Sequence, residues 1–220
     1  PIPSIPATGN CGCQQSVSNS NGNLSLSFAI PAADALAPKE QLYYNSSSLF
    51  GPDSPFADSV SAAPPAGFNV SGLNTIRLVA DGADNAYVFR CDGSIDLYRC
   101  KDATTRAYIP VHTRNTLVQN VDGGGTPIGW TEKTFTNGFE YNFAADGRLN
   151  SIRNPAGQQW TFNRASATLN SVSDPLGRRM TYTYSASRIS SIRGVDNRIV
   201  SLSYDASGNL SQFTTPELCS

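Results

Sequence analysis

Along most of this 220-residue chain, apolar and polar residues alternate with a period of two. The clearest case in the N-terminal half is Leu24-Ser-Leu26-Ser-Phe28-Ala-Ile30. That spacing puts one set of side chains on one face of an extended strand and the other set on the opposite face. Pro31 has no amide donor to continue the pairing and stops the strand. Residues 32–42 hold the helical pattern, which Pro38 limits to one or two turns. From residue 73 the pattern predicts strands at 73–80, 86–91, 94–100, 106–111, 116–121 and 129–136, separated by Gly- and Asp-bearing turns. Asn137-Gly138, between 132–136 and 139–143, predicts a two-residue type I′ hairpin, and Asp92-Gly93 a similar turn that sets Cys91 opposite Ser94. Residues 1–20, with three prolines in the first six, read as an extended arm, and the Pro/Ser/Gly/Ala-rich 45–72 as a long surface loop.

Beyond residue 139 the pattern repeats. Leu149 and Ile152 return as Leu169 and Val172, as Ile189 and Ile192, and as Leu210 and Phe213, at intervals of 20, 20 and 21 residues. The connecting segment returns with them: Asn154-Pro155-Ala-Gly157-Gln158, Asp174-Pro175-Leu-Gly177-Arg178, and a degenerate Gly194-Val-Asp-Asn197-Arg198. Each link leads into an alternating strand, first Trp160-Thr-Phe162, then Met180-Thr-Tyr182-Thr-Tyr184, then Val200-Ser-Leu202-Ser-Tyr204. Phe143, Trp160, Phe162, Tyr182, Tyr184, Leu202 and Tyr204 thus share one face, with Thr and Ser on the other. A single hairpin is marginal in water, whereas hairpins stacked side by side bury a shared face. The expected fold is all-β: antiparallel hairpin repeats stacked into one sheet, preceded by an irregular β module.

Charge and composition narrow the functions. A net charge of −1 with 15% charged residues supplies no basic stripe for nucleic acid, and no apolar run reaches the roughly 18 residues of a membrane span. His112, the sole imidazole, sits in a strand-like stretch without a Gly-x-Ser-x-Gly and reads as structural. Gly123-Gly124-Gly125 precedes Thr126-Pro127 rather than a helix and lacks Gly-Lys-Ser/Thr, so it reads as a loop and not a phosphate cradle. Trp130 and Trp160 are assigned to the buried face rather than to sugar stacking. Asp81, Asp84 and Asn85 offer oxygen ligands to calcium but miss EF-hand spacing. The expectation is therefore no enzyme, no cofactor and no metal.

Cys11, Cys13, Cys91, Cys100 and Cys219 lack zinc spacing and, in a Ser/Asn-rich chain poor in Lys, point to disulfides and an oxidising compartment. The odd number leaves one thiol free or bonded to another chain. The hairpin at Asp92-Gly93 separates Cys91 from Cys100, and the remaining pairings stay open. Asn23, Asn45, Asn69 and Asn209 stand in N-x-S/T sites, which leaves glycosylation open. The start at Pro1, with no basic n-region or apolar h-region, reads as a processed mature end or an excised fragment.

Tyr204-Asp205-Ala-Ser-Gly208-Asn-Leu210 and Phe143-Ala-Ala-Asp-Gly147-Arg148-Leu149 resemble the YD repeat of RHS proteins, and Asp174-Pro175-Leu-Gly177-Arg178 is similar to that family's link. The strand at 24–30, Leu42-Tyr43-Tyr44-Asn45-Ser46 and Tyr87-Val-Phe-Arg-Cys-Asp-Gly93 look like the module that precedes RHS repeats. The resemblance is closest over 138–216 and looser over 20–137. It departs at Ser185-Ala-Ser187-Arg188, which lacks the turn glycine, and at Arg164-Ala-Ser-Ala. It implies a spiral β-sheet, which in family members with many more repeats closes as a shell around a toxin. The organisation expected is an arm at 1–20, a β-rich module at 21–137, and four repeats with a tail at 138–220. The function expected is an extracellular or cell-surface structural protein whose partners are other copies of itself. The strand bearing Leu24, Leu26, Phe28 and Ile30 would complete a neighbour's sheet in a head-to-tail filament. The alternatives are a wall segment of a toxin-enclosing RHS shell and a glycan-binding adhesin that uses the 45–72 loop.

Overall fold

The computed structural model describes residues 13–17, 24–30, 32–45, 70–81, 84–91, 94–165, 168–186, 188–206 and 210–215. Cys11, Cys219, Asn23, Asn69, Asn209, most of the arm, most of the 45–72 loop and the Asp92-Gly93 pair lie outside these residues, and Cys13, Leu24 and Leu26 are described in backbone only. Among the described residues the regular elements are strands and one short 3-10 turn at Leu73–Thr75. Strands β1 (Cys13–Val17), β2 (Leu24–Ala29), β3 (Gln41–Asn45) and β4 (Val70–Ser71) form a small antiparallel sheet in chain order. The remaining fourteen strands form a long antiparallel sheet that is not closed. They are β5 (Arg77–Ala80), β6 (Ala86–Phe89), β7 (Ile95–Arg99), β8 (Ala107–Pro110), β9 (Thr116–Val121), β10 (Pro127–Lys133), β11 (Glu140–Ala144), β12 (Leu149–Arg153), β13 (Gln159–Ala165), β14 (Thr168–Ser173), β15 (Arg179–Ser185), β16 (Arg188–Arg193), β17 (Ile199–Tyr204) and β18 (Leu210–Thr214). Every strand lies beside its neighbours in sequence, as stacked hairpins require. The long sheet thus runs from β5 to β18.

The repeat has a regular irregularity that explains its spacing. Leu149 and Ile152 are three residues apart, which in an unbroken strand would send them to opposite faces. Tyr141 pairs with Ile152 and Asn142 with Ser151, but Phe143 pairs with Leu149, so Asn150 is an extra, bulged residue. Ser190 takes the same place against Thr183 and Tyr184, and Ser211 against Ser203 and Tyr204. Each bulge returns both apolar residues to the aromatic face: Leu149, Leu169, Val172, Ile189, Ile192, Phe143, Phe162, Tyr182, Leu202 and Leu210 are buried, while Ile152, Trp160, Tyr184, Tyr204 and Phe213 are half-buried. The links repeat as well. Gly157 N–H donates to Asn154 O at 2.9 Å, Gly177 N–H to Asp174 O at 2.9 Å, and Asn197 N–H to Gly194 O at 3.1 Å. All three donors have a positive φ, and Asn197 replaces glycine there because asparagine tolerates the left-handed region.

Two tyrosines at equivalent places in successive repeats each reach back to the preceding hairpin. Tyr184 Oη–H donates to Leu169 O at 2.9 Å and Tyr204 Oη–H to Ile189 O at 2.8 Å, each reaching back fifteen residues. Replacing Tyr204 with Phe is expected to cost about 1 kcal/mol of unfolding free energy in urea titration, the net worth of one such bond. An unchanged midpoint would show that this bond contributes nothing.

Three local expectations are corrected. Asn137-Gly138 is not a type I′ turn, which needs positive φ at both central residues; only Gly138 has it. Lys133 pairs with Glu140, and Thr134 N–H donates to Phe139 O, so the connection is a longer loop with Gly138 N–H donating to Thr134 O. Arg90, not Cys91, sits opposite Ser94 through a 2.9 Å Arg90 N–H to Ser94 O bond. Residues 33–37 form bends instead of a helical turn, because the Asp34 carboxylate takes the Leu36 and Ala37 amides.

The chain divides into two compact units. The first holds Pro1–Asn74, Arg164–Val172 and Arg178–Ser220, and the second Thr75–Asn163 and Ser173–Gly177. In the first, the small sheet lies against the C-terminal repeats: Phe28 stacks on Phe213 with ring centroids 4.4 Å apart. In the second, Leu78, Val88, Tyr98, Leu117, Trp130 and Phe143 are buried. There the outer side of β5 is covered by the β11–β12 turn, through a 2.7 Å bond from Leu78 N–H to Gly147 O and an Arg77–Arg148 bridge.

Candidate functional site: two buried glutamates

Among the described residues two glutamates are buried, and the protein treats them oppositely. In the second unit Glu132 is fully buried on β10, two residues beyond Trp130 and therefore on the same inward face. Its Oε1 pairs with Arg90 Nη2 at the end of β6, and accepts from Tyr98 Oη–H on β7 and from Asn115 Nδ2 at 3.2 Å. Arg90 also pairs with Asp96 on β7 and lies 5.4 Å from the centre of the Tyr141 ring. Burial alone would weaken the Arg90 proton, but Glu132 and Asp96 reverse this and hold the guanidinium more firmly protonated than usual. Burial, reinforced by Glu132, pushes the Tyr98 hydroxyl far above its ordinary range, so it stays a donor. The arrangement is a paired, hydrogen-bonded charge that fastens β6, β7 and β10 and the segment before β9.

In the first unit Glu40 is 3% exposed just before β3. Its Oε1 accepts from Leu73 N–H at 2.9 Å and its Oε2 from Tyr182 Oη–H on β15. Gly72 makes room, since a Cβ there would lie 2.5 Å from Oε1. Among the described residues no basic side chain pairs with this carboxyl. Burial lifts it from the ordinary 4.5 to about 7, against the lowering pull of Tyr182 and the Leu73 and Gln41 amides.

On the opposite face of the second unit polar side chains form a ladder. Asn120 Nδ2 donates to Thr131 Oγ1 at 3.0 Å, Thr131 Oγ1–H to Asn142 Oδ1 at 3.0 Å, and Asn142 Nδ2 to Ser151 Oγ at 3.2 Å. These residues give the sheet cross-strand bonds on its non-aromatic side.

The residues singled out from the sequence fall elsewhere. Asp81 accepts from the Asn85 amide and side chain, and Asp84 pairs with Lys101 Nζ at 2.9 Å. Their oxygens build a turn, and no cluster of three metal-type ligands occurs among the described residues. His112 lies exposed in the bend after β8. Trp130 is buried with Nε1–H directed at Tyr108 Oη at 3.3 Å, and half-buried Trp160 stacks with Phe139, so both serve the sheet. Cys91 and Cys100 are not joined to each other: β6 and β7 form a hairpin with Cys91 at its turn and Cys100 beyond the far end of β7. The strand expected to join a neighbouring subunit is paired within its own chain. Both edges of β2, which carries Leu24, Leu26 and Phe28 and leads to the buried Ile30, are taken by β1 and β3, and Phe28 is stacked within its own chain.

Neither glutamate was singled out from the sequence. The signal existed for Glu132: a charge in phase with Trp130 on an inward face demands a buried partner. For Glu40 the sequence holds no such cue, because its burial depends on Tyr182, 142 residues away. No helix among the described residues is long and apolar enough to cross a membrane. Comparison with protein-family models and with curated proteins finds no match.

Proposed function

We propose that this chain is an extracellular structural β-scaffold of the RHS type, without a catalytic role, that associates with further copies by strand addition at the β18 edge. The observation that carries this is the contrast between the two ends of the long sheet. The β5 edge is covered by the Gly147 turn, whereas β18 is last in the strand order and has no partner on its outer side among the described residues. Exposed edges are ordinarily defended by charge or proline. Leu210-Ser-Gln-Phe-Thr214 carries neither, and it repeats the bulge and apolar spacing of the inner strands β12 and β16. The net charge of −1 adds little repulsion between copies. The joint this favours is at β18, since β2 already pairs on both sides within the chain.

A second reading, a wall segment of a larger RHS shell, draws on one sequence feature. The proline that opens two of the links, at Pro155 and Pro175, returns at Pro216 just after β18, so the completing strand would come from further repeats in the same chain. The test is light scattering and electron microscopy of the wild type beside a Gln212→Lys/Thr214→Lys variant, both positions being exposed. Concentration-dependent assembly that the two lysines abolish, with an unchanged melting temperature, is the expected result. A wild type that stays monodisperse and monomeric at every concentration would remove the self-assembly reading.

A further inference from the structure

We propose that Glu40, Tyr182 and the Leu73 amide form a proton-operated latch between the small N-terminal sheet and strand β15, closed while the Glu40 carboxyl keeps its proton and loosened when it ionises. The inference stands on the site's geometry and does not depend on the assembly reading. Among the described residues, three of the contacts that hold this sheet and its loops to the repeats can be named within the first unit. One is the Phe28–Phe213 stack. Another is the exposed pair of Arg178 with Asp34, at 2.6 and 3.0 Å. The third, Glu40 with Tyr182, is the buried one and the one whose charge can change near neutrality.

The groups that face Glu40 fix the sign. From β15 come Tyr182 and Tyr184, from β13 Arg164, from the 3-10 turn the Leu73 amide, and from β3 the Gln41 amide. Tyr182 and Tyr184 are both pushed upward, by burial first and then by Glu40, and therefore remain neutral donors. Arg164 acts on the two tyrosines rather than on the carboxyl. An ionised Glu40 would thus be buried with dipoles but no counter-cation, which costs free energy that the neutral acid avoids. The docked state holds this proton more tightly than the open state does. Docking is strongest below the ordinary 4.5, weakens as pH rises, and levels off above about 7. A carboxyl that titrates at about 7 when docked and at the ordinary 4.5 when open corresponds to an opening equilibrium that rises about 300-fold across that window.

The test uses the full chain and two readouts. Hydrogen exchange at the Leu73 amide, corrected for intrinsic rate, reports the opening equilibrium from about pH 5 to about pH 8.5. The wild type is expected to open at least tenfold more readily at the upper end, and Glu40→Gln, which keeps an acceptor but no proton to lose, to show no such trend. The second readout, the Glu40 carboxyl carbon shift, needs no variant and is expected to titrate near neutrality. Titration near the ordinary glutamate value, wild-type opening that does not change with pH, or a Glu40→Gln profile that matches the wild type would each overturn the latch.

Discussion

Replacing Arg90 with methionine is expected to lower the unfolding free energy by about 3–5 kcal/mol, the range for removing one partner of a buried ion pair. The size follows from what is left behind. Glu132 is fully buried, and without Arg90 its Oε1 keeps only the Tyr98 hydroxyl and the Asn115 amide, two dipoles in place of a cation. Methionine fills comparable volume, so little of the loss can be assigned to a cavity. Urea denaturation reads the effect, and a loss below about 1 kcal/mol would show that the pair contributes little in place. The companion variant separates burial of charge from packing. Arg90→Met with Glu132→Leu removes both charges and should regain most of the stability. Recovery should stay incomplete, since Tyr98, Asn115 and Asp96 each lose a partner.

The same cluster shows where the sequence was readable. Repeat spacing, link chemistry and the aromatic face were all visible, because each is a local property: a period of two, a turn residue, an interval of twenty. The sheet order follows from that locality, since hairpins that are neighbours in sequence pair as neighbours in space. Four things were not visible. The bulges at Asn150, Ser190 and Ser211 hide in residues with no unusual chemistry, although the three-residue gap between Leu149 and Ile152 was their trace. The Asn137-Gly138 pair carried a strong two-residue turn signal, yet the Thr134 hydroxyl and amide bond Asn137 and Phe139 and draw the loop wider. The pairing of the 24–30 strand was hidden for a different reason. Alternation says that residues 24–30 form a strand, but not whether its partners come from the same chain, and here β1 and β3 already occupy both sides. Burial of Glu40 likewise depends on a partner 142 residues away, beyond the reach of any local pattern, whereas Glu132 left a local trace in its phase with Trp130 although its partner Arg90 lies 42 residues away.

Gly147→Ala is the second substitution expected to have a large effect, and it tests how the β5 edge is covered. Gly147 has φ +77°, where any side chain is strained, and a Cβ built there would lie 1.9 Å from Leu78 O. The obstacle is backbone, not the movable end of a side chain. Relief requires β5 to retreat, which breaks the 2.7 Å bond from Leu78 N–H to Gly147 O. Gly177 provides the control within the same unit: its φ is +80°, but nothing lies within 4 Å of a Cβ built there. Gly177→Ala should therefore report the backbone strain alone, about 1 kcal/mol. Gly147→Ala adds the clash and the lost bond, for a total of about 3 kcal/mol or more, in the range of overpacked interior sites. Hydrogen exchange should locate the extra loss at the Leu78 amide, with β5 opening ahead of the rest of its unit. Equal costs for the two alanines, or a Leu78 amide as protected as before, would mean that the turn does not seal this edge. The contrast with β18 would then no longer distinguish the two ends of the sheet, and self-association at β18 would lose the observation that favours it.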